Sequence, residues 1–181
     1  MRFDKRMSEA SVYEDKPEFE NAMNDRWILV DGYSVLHAWP KLRRLARRRL
    51  EQQREVLVTA LRQYADHTGR KVTVVFDGYA AKHKPEVAGP SHGVEVLFSE
   101  RGKTADDVIE RLVGQAEARK KILVVTSDNM ERHTVESMGA QSVSAEAFEV
   151  EVETALAELG RLVRFHGRRR KIGSVRDRFG G

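Results

Sequence analysis

Apolar positions fall into two periodicities along the chain. WILVD (27–31), KVTVVFD (71–77), VEVLFS (94–99) and KILVVTSD (121–128) are short runs rich in β-branched residues, and each reads as a buried strand. QSV (141–143) is a short fifth candidate. Between them the spacing shifts to three and four. Leu42, Leu45, Leu50, Leu57, Leu61 and Tyr64 predict a helix over 41–67, stopped by Thr68-Gly69. A helix over 104–119 opens on a Thr104-x-x-Asp107 capping box. Another starts at Asp128-x-x-Glu131 and closes at Gly139, and a last one over 144–163 carries Phe148, Val152, Leu156 and Leu159 on one face.

Continuous apolar strands alternating with helices predict an α/β fold, in which a mainly parallel sheet of 4–5 strands is covered on both faces. Residues 26–163 are expected to form this domain. Residues 1–25 are polar and aperiodic and are expected to be a flexible arm. The stretch 80–93, with two prolines, reads as a flexible basic loop, and 164–181 as a basic tail.

Ligands of such sheets sit beyond the carboxyl ends of the strands. Asp31 and Asp77 end two strands and Asp128 follows a third, so all three are expected on one edge. Asp106 lies in the first turn of the helix leading into that third strand. Each has a purely structural explanation. Asp-Gly is a common turn, which covers Asp31 and Asp77, and Asp128 is a natural helix cap. Asp106 is the exception, because Asp107 already closes the capping box and can pair with Arg111. Four carboxylates in one crevice raise each other's pKa, a conflict that a divalent cation resolves, and an all-oxygen set favours Mg²⁺ or Mn²⁺.

Ser34, Thr126 and Lys103 are candidate supporting or phosphate contacts near the same edge. Tyr33 and Tyr79 are candidates for stacking on a base or for plain packing. His37 reads more simply as a packed, partly exposed histidine.

The net charge of +4 is unevenly placed. Segment 41–54 holds seven Lys/Arg against one Glu, and 161–178 holds eight against one Asp. Such density points to a polyanion, with a solvated helix face as the plainer alternative. Arg43, Arg44, Arg47, Arg48, Arg168, Arg169, Arg170 and Lys171 are the candidate nucleic-acid contacts, and binding through them should weaken steeply with salt. No cysteine is present, which excludes thiolate metal sites and cysteine nucleophiles. No apolar run approaches the ~20 residues of a membrane span, and the first residues lack a secretory apolar core, so a cytoplasmic protein is expected.

VDGYSVLHAWP, VVFDGY, KTADDVIERL and VVTSDN, in that order, resemble the YacP-type NYN domain of the PIN-like nuclease superfamily over about residues 26–163. The resemblance implies a Rossmann-like α/β/α domain and a metal-dependent RNA endonuclease, in a bacterial branch one that cleaves mRNA on the ribosome. It carries Asp31, Asp77, Asp106 and Asp128 over as the acidic site residues. One position departs: the family's first motif usually reads D-G-Y-N, and here Ser34 replaces the Asn, keeping a polar oxygen but losing the amide's reach and second donor. RNA, with the ribosome as its setting, is the expected partner; no membrane and no small-molecule cofactor are expected. The rival reading is an RNA- or ribosome-binding adaptor on a degenerate nuclease fold. A small-molecule phosphatase would share the carboxylates but leaves the arginine clusters unexplained.

Overall fold

The structure, a computed structural model, describes residues 26–45, 50–78 and 93–176, and side chains as far as Phe165. The expected arm over 1–25, most of the 80–93 loop, Tyr79, Arg47 and Arg48, and the side chains of Arg168, Arg169, Arg170 and Lys171 lie outside the described residues.

Five parallel strands, β1 (Trp27–Asp31), β2 (Lys71–Phe76), β3 (Val94–Phe98), β4 (Ile122–Val125) and β5 (Gln141–Val143), form one sheet in the order β3-β2-β1-β4-β5. Among the described residues six α-helices accompany them: α1 (Gly32–Ala38), α2 (Pro40–Leu45), α3 (Leu50–Thr68), α4 (Ala105–Gln115), α5 (Asn129–Ser137) and α6 (Ala145–Arg176). Alternate strand residues feed two separate cores. Ile28, Val30, Val72, Val74 and Phe76 pack with α1, α2, α3 and α6 through Leu36, Leu42, Leu57, Leu61, Tyr64 and Phe148. Leu29, Val75 and Val124 pack on the other face against Val108, Ile109 and Val113 of α4 and Val135 of α5. Burial on both faces explains why β1, β2 and β4 lack polar alternation.

The chain works outward from β1 to β3, then crosses back to lay β4 on the other side of β1. The carboxyl ends of β1 and β4 therefore flank the switch point, where such sheets open a crevice.

Several predicted boundaries move. The expected helix over 41–67 is α2 and α3, separated by 46–49, which lie outside the described residues, and α1 was not anticipated. Asp31 starts α1 by accepting the Tyr33 N–H at 3.0 Å. The helix expected to reach 119 ends at Gln115, where Ala116 turns extended and the Arg119 side chain donates to the Gly114 carbonyl at 2.8 Å. Such a donor satisfies a helix-end carbonyl that would otherwise lack a partner. The last helix runs past 163 to Arg176. Its packed face is Phe148, Val152 and Ala155, with Leu156 against them; beyond it Arg and Lys are strong helix formers and no proline intervenes.

The sharp exit from β2 depends on Gly78. A Cβ there would lie 2.0 Å from the Ser99 carbonyl oxygen, a backbone atom. Gly78→Ala must therefore separate the ends of β2 and β3, which are joined by the Ser99 N–H to the Phe76 carbonyl at 2.9 Å and the Gly78 N–H to Ser99 Oγ at 3.0 Å. We expect it to cost about 2–3 kcal/mol, within the usual range for overpacking, read as a lower denaturant midpoint at unchanged m-value.

Candidate active site

Three helix N-termini meet above the switch point. Asp31 ends β1 and caps α1; its Oδ1 takes the Tyr33 N–H, and the residue is buried. Asp106 is the second residue of α4. The box beneath it closes without it: the Asp107 N–H donates to Thr104 Oγ1 at 3.2 Å, and the Thr104 N–H to Asp107 Oδ2 at 2.8 Å. Asp106 is thereby left partly buried and free of capping duty. Glu131 is the third residue of α5, only 3% exposed, and both its carboxylate oxygens are buried with no hydrogen-bond partner among the described residues.

One carboxylate oxygen from each of Asp31, Asp106 and Glu131 lies within 4.8 Å of the others. The charges respond as crowded acids must. Burial pushes the Glu131 carboxyl up to about 8, and Asp106, Asp31 and Asp128 push the same way. The Thr126 hydroxyl, which pairs with Ser34 Oγ and accepts the Asp128 N–H, opposes this only in part. Asp106 is raised to about 6, by burial first and then by Asp31, Asp128 and Asp77. Burial also raises Asp31, against hydrogen bonding from Ser34 and the Tyr33 N–H. Oxygen anions held together, one of them buried and unpartnered, fit a hard divalent cation; in its absence they are an uncompensated cost.

The other expected residues take different places. Asp77 Oδ1 accepts the Ala105 N–H at 2.7 Å. It binds the first residue of α4 to the end of β2 and so sets the position of Asp106. Asp128 lines the hollow but spends Oδ1 on the Met130 and Glu131 N–H groups at 2.7 and 3.4 Å, as the cap of α5. The ligand-distance group thus includes Asp31 and Asp106, leaves out Asp77 and Asp128, and adds Glu131. Glu131 does not close a capping box, because the Asp128 N–H goes to Thr126 Oγ1 at 3.1 Å.

Ser34 joins the two sides of the switch point. Its hydroxyl lies 3.3 Å from Thr126 Oγ1 and accepts the Ser127 N–H at 3.2 Å. Lys103 is exposed and paired with Glu100 at 2.8 Å, away from the lining of the hollow. Arg43 and Arg44 are exposed on α2. The hollow measures about 390 Å³; Asp31, Asp106, Asp128 and Glu146 give its acidic side, and Tyr33 and His37 its aromatic side. Glu146, at the start of α6, accepts from Ser127 Oγ at 3.1 Å.

The YacP-like NYN domain matches residues 28–174. The chain belongs to that family. It is 38% identical over 138 residues to YacP of Bacillus subtilis (strain 168), covering 76% of this chain and 81% of that protein. The crystal structure of Rae1 (YacP) from Bacillus subtilis superposes with a TM-score of 0.71 at 35% identity, over 82% of this chain and 85% of that one. A tryptophan-to-leucine variant of it gives 0.67 at 35% identity, over 78% and 82%. The Rossmann-like α/β fold is therefore that of the YacP-like NYN family, whose PIN-like membership supports a nuclease-like, RNA-related role. Nucleases of this kind typically use divalent metals, and the buried acidic cluster is present here. No helix among the described residues is long and apolar enough to cross a membrane.

Glu131 and Glu146 are the residues that sequence reading passed over. Glutamate three residues after a cap is the ordinary signature of a capping box, which hid Glu131. The available signal was its register: the third residue of the helix that follows β4 sits beside the strand's carboxyl end.

Proposed function

We propose that this chain is a metal-dependent endoribonuclease hydrolysing RNA phosphodiester bonds, with mRNA on the ribosome as its substrate setting and the cytoplasm as its compartment. The observation that carries the reading is the buried, unpartnered Glu131 carboxylate beside Asp31 and Asp106. These three would hold Mg²⁺ or Mn²⁺, with Asp128 lining the same hollow. A bound cation supplies Lewis-acid polarisation of a phosphate oxygen and a water acidified toward neutral pH. Asp77 acts through the α4 N-terminus, holding Asp106 in place, and Ser34 and Thr126 hold the β1 and β4 sides together. Arg43, Arg44, Arg47, Arg48, Arg168, Arg169, Arg170 and Lys171 are assigned to the RNA backbone, and Lys103 to a phosphate only when it leaves Glu100.

RNA should be cut by the wild-type chain with Mn²⁺ or Mg²⁺ and left intact with chelator. Asp31→Asn is expected to lower the rate at least 100-fold, the scale of losing a group that stabilises developing charge. Metal-independent cutting, or full activity in the variant, overturns the reading. Tight binding with intact RNA on every substrate, translating ribosomes included, would establish the adaptor instead.

A further inference from the structure

The acidic residues lining the hollow account for phosphate chemistry but not for its aromatic lining. There, Tyr33 and His37, one helical turn apart on α1, stack with ring centroids 6.2 Å apart and planes at 29°. Tyr33 is held from behind. Its ring meets Phe76 edge-on at 5.9 Å, and its hydroxyl accepts from Arg54 Nη2. Arg54 is itself buried, forms no ion pair among the described residues, and leaves Nε without a partner. Its guanidinium lies 5.6, 5.1 and 5.3 Å from the ring centroids of Tyr33, Phe76 and Phe98. A buried arginine held by three rings and a hydroxyl is costly as pure packing. What it achieves is a tyrosine fixed in place, with His37 laid against it and exposed at the mouth.

We propose that His37, backed by Tyr33, is the stacking platform for one nucleobase of a single-stranded RNA, and so a specificity-determining residue of the site. The inference rests on the ribonuclease reading. A phosphate drawn to the acidic wall must place its own or a neighbouring base somewhere in the same hollow, and its aromatic wall is the surface that offers a π face. Bases in a duplex are already stacked and cannot use it, so the platform selects unpaired RNA. A base held by its face is recognised with little regard to its hydrogen-bonding edge, so the preference is for an unpaired base over a missing one, and only weakly among the four.

The test uses the full chain carrying Asp106→Asn throughout, so that RNA stays intact, and follows fluorescence anisotropy of a labelled single-stranded oligonucleotide. His37→Ala is expected to weaken binding about 10-fold, the scale of one base–aromatic stack. His37→Phe should stay within about 2-fold of the parent, because a stack needs a ring and not an imidazole. In a series with one abasic site moved along the strand, one position should weaken the parent by the same factor and make it indifferent to His37→Ala. An unchanged affinity in His37→Ala, a His37→Phe chain as weak as His37→Ala, or no such abasic position overturns the platform alone. If neither the wild-type nor the Asp106→Asn chain binds any RNA, the ribonuclease reading falls together with it.

Discussion

In metal-free buffer at pH 8, Glu131→Gln is expected to melt well above the wild type, and Mn²⁺ should close most of that gap. The folded chain holds the Glu131 carboxyl at about 8, against an ordinary value of 4.5. A raised pKa means that the folded state keeps a proton the unfolded state has released. The associated stability is complete below about pH 4.5 and drains away as pH rises toward 8. Over that window the loss is on the order of 4 kcal/mol, from 1.36 kcal/mol per pKa unit. Glutamine fills the same space without titrating, so its advantage over the wild type should be small near pH 4.5 and grow toward pH 8. A cation that binds only the folded wild type then restores about 2.7 kcal/mol at 100 times its Kd, while the variant lacks one of three ligands and gains much less. Thermal melts at about pH 5 and pH 8, with chelator and with Mn²⁺, give all four values. Equal melting of the two chains at pH 8 in chelator would mean that Glu131 reaches water and that its burial has no consequence.

Mn²⁺ affinity is expected to rise about 100-fold between pH 6 and pH 8. Cation and proton compete for the same oxygens. Glu131, with its pKa near 8, is about half ionised at pH 8 and about one per cent ionised at pH 6. Asp106, with its pKa near 6, goes from almost fully ionised to about half. The two factors, roughly 50 and 2, multiply to about 100. Calorimetric titration in two buffers of different ionisation enthalpy should detect proton release on binding, and Glu131→Gln should flatten most of the pH dependence. An affinity indifferent to pH would show that the cation sits elsewhere.

The layered sheet was legible because β1, β2 and β4 are nearly continuous apolar runs and each long helix carries a three–four pattern. Asp31 and Asp106 could be singled out for different reasons: one ends a strand at the expected edge, the other has no work in a capping box that Asp107 already closes. What the chain does not spell out is which oxygen of a carboxylate a backbone N–H will claim. Asp77 and Asp128 look like Asp31 in sequence. The structure commits one oxygen of Asp77 to Ala105 and one of Asp128 to the first turn of α5, contacts that depend on how helices seat on the sheet. Glu131 inverts the problem, since it fits the pattern of a local helix signal while its side chain lies buried beside Asp31 and Asp106. Helix α1 was missed because seven residues are too few for a periodic pattern to stand out, although the Asp-Gly before it marks its start.

Among the described residues, no lysine or arginine lines the hollow, while four acids do. A polyanion approaching an empty hollow meets repulsion at the place where its backbone would have to rest. Under the proposed function, the consequence is an order of arrival: cation first, RNA second. A protein working in this way would keep its own gate shut when metal is scarce.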